Sequence, residues 1–217
     1  MLLPNIHILG IQGSGKGTQS ALLVERYGLN YISSGDLFRA RAQVEDSFGK
    51  ELRQEMAAGR LLHNETLFQT VEDYLVSEQP QNGLLADGVI RTVEQYEGLE
   101  PTWPKHELDE PLLIHFILSE DTAMERIAQR QKEQNDPNRH EHYLKYGGKL
   151  LKRNDDNPAA ILERFRLFHA MTEPVIWVFD HENRCVHIEA NRPVEAIQAD
   201  IHLAIEQYYP TLSHVSH

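Results

Sequence analysis

Short apolar runs alternate with amphipathic stretches along most of the chain. The apolar runs have the length of buried strands and predict strands at 6–9, 31–32, 84–86, 112–118 and 186–188. Helical periodicity lies between them and predicts a helix that opens at 37–39 and others over 20–27, 44–62, 65–77, 92–99, 121–131, 158–172 and 193–208. This alternation predicts an α/β fold with a doubly wound, parallel, five-stranded sheet and helices on both faces.

Two segments lack a clear core pattern. Residues 101–110 are predicted to form a polar connection, and residues 131–152 are so polar that we expect them to leave the main body. The helix after this excursion is predicted to begin with Pro158 in its first turn, capped by Asp155 or Asp156.

A glycine-rich turn, Gly-Ile-Gln-Gly-Ser-Gly-Lys-Gly-Thr-Gln, follows the first predicted strand at residues 10–19. Three glycines allow successive backbone N–H groups to point inward and form an anion nest. The next helix contributes its partial positive charge, and Lys16 contributes a full one. The alternative is an ordinary glycine turn, but the complete spacing between strand and helix favours a loop that binds the β- and γ-phosphates of a nucleotide.

The end of this loop indicates which kind of nucleotide-binding protein the chain resembles. Gly17 follows Lys16 where Ser or Thr is usual, and Thr18 comes one place later. This Gly-Lys-Gly-Thr-Gln ending resembles the nucleoside monophosphate kinases, above all the adenylate kinase family. The resemblance implies a P-loop fold in which ATP is bound by Gly13, Ser14, Gly15, Lys16, Gly17 and Thr18. A GTPase switch would need an Asn-Lys-x-Asp motif, which is absent.

Two further motifs resemble the acceptor site of the same family. Ser-Ser-Gly-Asp-Leu-Phe-Arg at 33–39 implies that Ser34 meets the acceptor base and Arg39 its α-phosphate. Asp-Gly-Val-Ile-Arg-Thr at 87–92 resembles the family's Asp-Gly-Phe-Pro-Arg-Thr, which implies that Asp87 holds Mg²⁺ through water. The remaining acceptor residues implied by the resemblance are Leu62, Gly88, Arg91 and Gln95, with Arg91 on the phosphate and Gln95 on the adenine edge.

The predicted helices also supply arginines in the family's order. The resemblance implies that Arg126 stacks on the adenine of ATP and that Arg130, Arg153 and Arg164 contact phosphate. Without that context, Arg126 and Arg130 would be read as a solvated helix face. The resemblance therefore predicts six cations around one polyphosphate: Lys16, Arg39, Arg91, Arg130, Arg153 and Arg164.

The family organisation predicts a single domain with two inserts. The core comprises 1–33, 65–130 and 153–217, an acceptor-binding insert comprises 34–64, and a lid comprises 131–152. Some relatives bind zinc through cysteines of the lid, but this lid has none, and His140 with His142 cannot complete a tetrahedral site. We therefore expect Mg²⁺ as cofactor and no zinc.

Composition limits the partners. The net charge of −12 argues against nucleic-acid and membrane partners, so a polyanionic substrate has to be met by local arginines. The single cysteine, Cys185, excludes an internal disulfide and is expected to be an inert strand residue. No signal peptide is visible, and we expect a monomeric cytoplasmic protein.

The predicted reaction is MgATP + AMP ⇌ 2 ADP, an ATP-dependent phosphotransfer. Val89 and Ile90 replace the family's Phe-Pro, so UMP, CMP or another monophosphate stays open as acceptor. Gln12 replaces the proline usual in the family's loop, which leaves the loop geometry open as well. The alternative of another class is a non-catalytic nucleotide-binding protein with the same fold.

Overall fold

The computed structural model describes residues 2–59, 63–134 and 157–210. The strands described are β1 Asn5–Gly10, β2 Asn30–Ser33, β3 Leu84–Asp87, β4 Leu112–Ile117 and β5 Cys185–Glu189. The α-helices described are α1 Lys16–Tyr27, α2 Ser34–Arg41, α3 Ser47–Ala57, α4 Asn64–Glu78, α5 Val93–Leu99, α6 Thr102–Lys105, α7 Glu120–Gln134, α8 Pro158–Leu167, α9 Glu173–His181 and α10 Val194–Tyr208. None of the helices in these ranges is long and apolar enough to cross a bilayer.

The five strands form one parallel sheet in the order β2-β3-β1-β4-β5. The chain adds β2 and β3 on one side of β1 and then β4 and β5 on the other, so the strand order reverses at β1. Ligands of doubly wound sheets bind at the carboxyl edge where such a reversal occurs. The loop after β1 therefore lies where this fold binds its ligand.

Helices cover both faces of the sheet, as predicted. On one face, α1 and α10 pack against β1 and β4 through a core that includes Leu23, Ile114, Phe116, Ile201 and Ile205. On the other face, α4, α5 and α9 form a core that includes Leu75, Leu99, Leu113, Val175 and Phe179. These two layers fix the positions of the strand ends that carry the candidate site.

A third, smaller cluster joins α7 and α8 to the loop after β1. It contains Ile11 of the loop, Ala123 and Ile127 of α7, and Ile161 and Phe165 of α8. Burial of these side chains anchors both arginine-bearing helices beside the loop, at about 25 cal/mol per Å² of apolar surface.

The predicted strands are confirmed, and most helix ends move by a few residues. Helix α1 begins at Lys16 rather than at residue 20, so the loop's lysine already belongs to the helix. The helix predicted over 44–62 starts only at Ser47, because the Asp46 side chain caps α3 by accepting the N–H of Gly49 at 2.7 Å, and it ends at Ala57. The polar connection predicted over 101–110 is wrong in part: it contains α6, whose Trp103 is buried.

The helix predicted over 158–172 is confirmed in part, because α8 ends at Leu167. Asn157 caps α8 by accepting the N–H of Ala160 at 2.9 Å, so the expected caps at Asp155 and Asp156, which lie outside the described residues, are replaced. A π-helical turn, Phe168–Thr172, then leads into α9. Pro174 lies in the first turn of α9, where proline is tolerated.

The account of the core predicts a large difference between two leucine truncations. Leu113→Ala removes a fully buried side chain of β4, whereas Leu203→Ala removes one that is 59% exposed on α10. We expect Leu113→Ala to lower the free energy of unfolding by about 2–5 kcal/mol because it leaves a cavity, and Leu203→Ala to change it by less than about 0.5 kcal/mol. Urea denaturation measures both, and equal losses would contradict the core assignment.

Candidate functional site

The loop after β1 has the backbone that its glycines predict. Gly13 and Gly15 have φ values of +92° and +96°, in the left-handed region that side chains avoid. A Cβ on Gly13 would also lie 2.8 Å from the carbonyl oxygen of Ala123 in α7. The loop is therefore tightly curled and pressed against α7, and only glycine fits at position 13.

Lys16 folds back over this loop at the start of α1. Its Nζ donates hydrogen bonds to the carbonyl oxygens of Gly10 at 2.8 Å and Ile11 at 3.0 Å. The first helical N–H groups of α1, from Lys16 onward through Gly17 and Thr18, lie beside it, and such groups lack intrahelical partners. The ammonium group and the helix N-terminus thus form one electropositive site.

Ser14 occupies the centre of the loop. Its N–H donates to the carbonyl of Ile11 at 3.2 Å, and its side chain is buried. Within the described part of the chain, the Ser14 hydroxyl has no hydrogen-bond partner. A buried polar group without a partner is costly, so the hydroxyl is available to a ligand that enters the loop.

Asp87 ends β3 next to the loop. The register of the two parallel strands pairs Asp87 with Ile8 of β1, and the Gly88 N–H donates to the Ile8 carbonyl at 3.1 Å. The Asp87 carboxylate accepts a hydrogen bond from the Tyr31 hydroxyl of β2 at 3.2 Å. Burial and the neighbouring Asp87 charge raise the pKa of Tyr31, so its hydroxyl stays protonated and donates.

Four of the predicted acceptor residues are joined by hydrogen bonds at the end of β3. The Gly88 carbonyl accepts from the Ser34 hydroxyl at 2.7 Å and from Arg91 Nε at 2.8 Å, and Arg91 Nη2 donates to the Ser34 hydroxyl at 3.1 Å. The Gln95 amide oxygen accepts from the Arg91 backbone N–H at 2.8 Å. The structure therefore brings Ser34, Gly88, Arg91 and Gln95 together.

Two residues that the sequence analysis did not single out support this group. Asn64, at the start of α4, accepts a hydrogen bond from the Gln95 amide at 3.1 Å, and the Thr172 hydroxyl donates to the Arg91 carbonyl at 3.0 Å. Both contacts join residues far apart in sequence, so no local pattern signals them. They hold Arg91 and Gln95 from two sides.

Val89 and Ile90, which replace the Phe-Pro of the family motif, point into the core. They are 2% and 1% exposed and belong to the cluster that contains Phe38, Leu67 and Tyr96. The difference from the family motif therefore concerns side chains that pack in the core. The polar side chains of Ser34, Arg91 and Gln95 keep the hydrogen bonds described above.

Arg39 lies on α2, five residues after Ser34. It forms an ion pair with Asp36 of the same helix at 2.5 Å. Its Nε atom is buried and has no hydrogen-bond partner within the described residues. Arg39 thus lies on α2 with part of its guanidinium unsatisfied.

Arg164 connects three parts of the molecule. It donates to the Gln12 side-chain oxygen in the loop at 2.9 Å and to the Met56 carbonyl at the end of α3 at 3.1 Å. The loop, α3 and α8 therefore meet at one guanidinium. Gln12, noted in the sequence only as a departure from proline, is a partner of this arginine.

Two of the remaining predicted arginines, Arg126 and Arg130, lie on α7 within the described residues. Arg126 of α7 donates to the Ala190 carbonyl after β5 at 3.0 Å, and Arg130 follows one turn later on the same helix. Arg153 and Leu62 lie outside the described residues.

The loop geometry predicts opposite effects of alanine at two of its glycines. Gly13→Ala places a methyl group against the Ala123 carbonyl at a positive φ, and we expect it to lower the free energy of unfolding by about 1–3 kcal/mol. Gly17→Ala is the matched control. It lies inside α1 with no atom within 4 Å of the added carbon, and we expect a gain of about 0.5 kcal/mol. Denaturant unfolding measures both, and a Gly13→Ala protein as stable as the wild type would refute the loop conformation.

Comparison with known proteins shows the family of this chain. The adenylate kinase family model matches residues 8–184. The adenylate kinase of Bacteroides thetaiotaomicron is 31% identical over 203 residues, covering 94% of this chain and 98% of that protein. The adenylate kinase of a Geobacillus species is 31% identical over 207 residues, covering 91% and 96% respectively. Since the family model matches residues 8–184, well over half of the sequence, this chain is a member of the adenylate kinase family.

Proposed function

We propose that this chain transfers the γ-phosphoryl group of MgATP to AMP, giving two ADP. The proposal rests on the observation that two polar sites lie next to each other at one edge of the sheet. The Lys16 loop follows β1, and the Arg91 group follows β3, which pairs directly with β1. A donor bound in the first and an acceptor bound in the second would meet between the two strand ends.

The donor half of the proposed site is the curled loop. Gly13, Ser14, Gly15, Lys16, Gly17 and Thr18 would bind the ATP phosphates through backbone N–H groups, with the Ser14 hydroxyl gaining a partner. Lys16 would exchange its bonds to the Gly10 and Ile11 carbonyls for phosphate oxygens. Arg126 would lie on the donor base.

Asp87 fits a magnesium ion bound with the nucleotide. Mg²⁺ is usually held by one or two carboxylates, several waters and the substrate phosphates. Asp87 lies beside β1, and its carboxylate accepts a hydrogen bond from the Tyr31 hydroxyl. This carboxylate is therefore held at the edge of the loop. A bound Mg²⁺ would neutralise charge on the β- and γ-phosphates. Asp87 would bind the water molecules around the ion, and the Tyr31 hydroxyl would orient the Asp87 carboxylate.

The acceptor half comprises Ser34, Arg39, Leu62, Gly88, Arg91 and Gln95. Arg91 would bind the AMP phosphate, since its planar guanidinium is already oriented by Gly88 and Ser34. The unsatisfied Nε of Arg39 supports the same anionic ligand. The Gln95 amide, paired with Asn64 and the Arg91 backbone, would turn its polar edge to the adenine.

Phosphoryl transfer needs alignment and charge neutralisation more than covalent help from the protein. Lys16 and Arg91 would align the two substrates, while Arg130, Arg153 and Arg164 would neutralise the moving phosphoryl group. A general base is not required because the acceptor is a phosphate oxyanion. The inserts at 34–64 and 131–152 would close over both nucleotides and exclude water, so that ATP is not hydrolysed. The proposal includes a monomeric, cytoplasmic enzyme.

Two alternatives differ from this proposal in a defined way. Another nucleoside monophosphate could be the acceptor because Val89 and Ile90 replace the family's Phe-Pro, but Ser34 and the oriented amide of Gln95 support AMP. A non-catalytic nucleotide-binding protein would need no preorganised cation beside the acceptor phosphate. The double contact of Arg91 with Gly88 and Ser34 supports catalysis.

Lys16→Ala tests the donor half. We expect ADP formation from MgATP and AMP to fall by about 10²–10³-fold, because a preorganised charge is lost where negative charge moves. The far-ultraviolet circular dichroism spectrum should not change. Lys105→Ala, which removes a 64% exposed lysine on α6, is the control and should keep wild-type turnover. Near-normal turnover of Lys16→Ala would contradict the donor assignment.

Arg91→Ala tests the acceptor half. We expect kcat/KM for AMP to fall by about 10²–10³-fold, while the dissociation constant for MgATP in the absence of AMP changes by less than about threefold, because Arg91 lies on the acceptor side. Arg26→Ala, on the exposed side of α1, is the control and should leave both quantities unchanged. If the affinity for MgATP fell as much as kcat/KM for AMP, Arg91 would act on the donor nucleotide, and its assignment to the acceptor would be contradicted.

A further inference from the structure

A cluster of chemically distinct ligand groups lies on the edge of the sheet, apart from the loop after β1. Cys185 and His187 are two residues apart on β5, so their side chains share one face of the strand. Asp180, near the end of α9, projects onto the same face. The Cys185 sulfur, a His187 ring nitrogen and an Asp180 oxygen all lie within 4.8 Å of one another.

We propose that Asp180, Cys185 and His187 bind a zinc ion. Thiolate, imidazole and carboxylate are the three ligand types that zinc takes in proteins. The His187 Nε2 atom lies 2.9 Å from Asp180 Oδ1 and 3.9 Å from Cys185 Sγ. Tetrahedral zinc with ordinary bond lengths needs separations of about 3.3 Å and 3.6 Å for such pairs. These two distances are therefore within a few tenths of an ångström of the tetrahedral values, and the Cys185 sulfur and the Asp180 oxygen lie within 4.8 Å of each other.

The surroundings of the cluster suit a metal site that keeps one open position. The side chains of Asp180 and His187 are 40% and 43% exposed, so a water molecule can supply the fourth ligand. The other ring nitrogen of His187, Nδ1, lies 3.0 Å from Nδ1 of His115 on β4. Metal-binding histidines are commonly oriented in this way by a hydrogen bond to their second nitrogen.

The site is separate from the transfer site and from the lid. Cys185 and His187 lie on β5, whereas the loop follows β1, and β4 lies between these two strands. Neighbouring strands are about 4.8 Å apart, so β5 and β1 are separated by about 10 Å. The expectation of no zinc rested on the lack of cysteines in the lid, and the proposed site uses none of the lid residues.

Titration of the nucleotide-free full chain with Co²⁺ tests the proposal. Cobalt bound to a thiolate gives a charge-transfer absorption in the near ultraviolet, and Cys185 is the only cysteine in the sequence. The absorption therefore reports this site alone, although the chain has 12 histidines that could bind cobalt elsewhere. Burial and the Asp180 carboxylate raise the pKa of the Cys185 thiol, so binding has to displace a proton and the titration is run at mildly alkaline pH.

We expect the absorption to saturate at one cobalt per chain, to disappear when Zn²⁺ is added, and to be absent in Cys185→Ser. His187→Gln and Asp180→Asn replace exposed side chains and should each weaken cobalt binding by at least about tenfold. His181→Gln, a neighbouring exposed histidine outside the cluster, is the control and should bind as the wild type does. The proposal is overturned if the wild type shows no thiolate absorption, or if either His187→Gln or Asp180→Asn keeps the wild-type affinity.

Discussion

The backbone hydrogen bonds between β1 and β3 are the constraint on which the candidate site depends. They set Asp87 beside Ile8 and let the Gly88 N–H donate to the Ile8 carbonyl, two residues before the glycine loop begins. The same pairing fixes the distance between the Lys16 loop and the Arg91 group. A shift of one residue in this register would turn Asp87 to the other face and separate the two halves.

Neutral oxygen atoms orient three cations of the site. Lys16 donates to two loop carbonyls, Arg91 to the Gly88 carbonyl and the Ser34 hydroxyl, and Arg164 to Gln12 and the Met56 carbonyl. These bonds fix the direction in which each cation points. In a chain with a net charge of −12, such local positive groups give a polyphosphate a defined place to bind.

The sequence predicted those parts of the molecule that depend on local spacing. The glycine loop, the five strands and the assignment of Ser34, Asp87 and Arg91 to strand ends follow from short motifs. Contacts between distant residues could not be predicted, because nothing local encodes the meeting of Gln12 with Arg164 or of Tyr31 with Asp87. Helix α9 was missed because its start follows a π-helical turn and contains Pro174.

The central claim is that the two halves of the site hold ATP and AMP for direct transfer. The most direct measurement offers MgATP with AMP, UMP, CMP, GMP and dTMP in separate reactions and follows the nucleoside diphosphate formed from each. The account predicts rapid ADP formation with AMP and rates at least about tenfold lower with the other four. Equal or faster transfer to another monophosphate would contradict the acceptor assignment, and ATP binding without transfer to any acceptor would contradict the catalytic function.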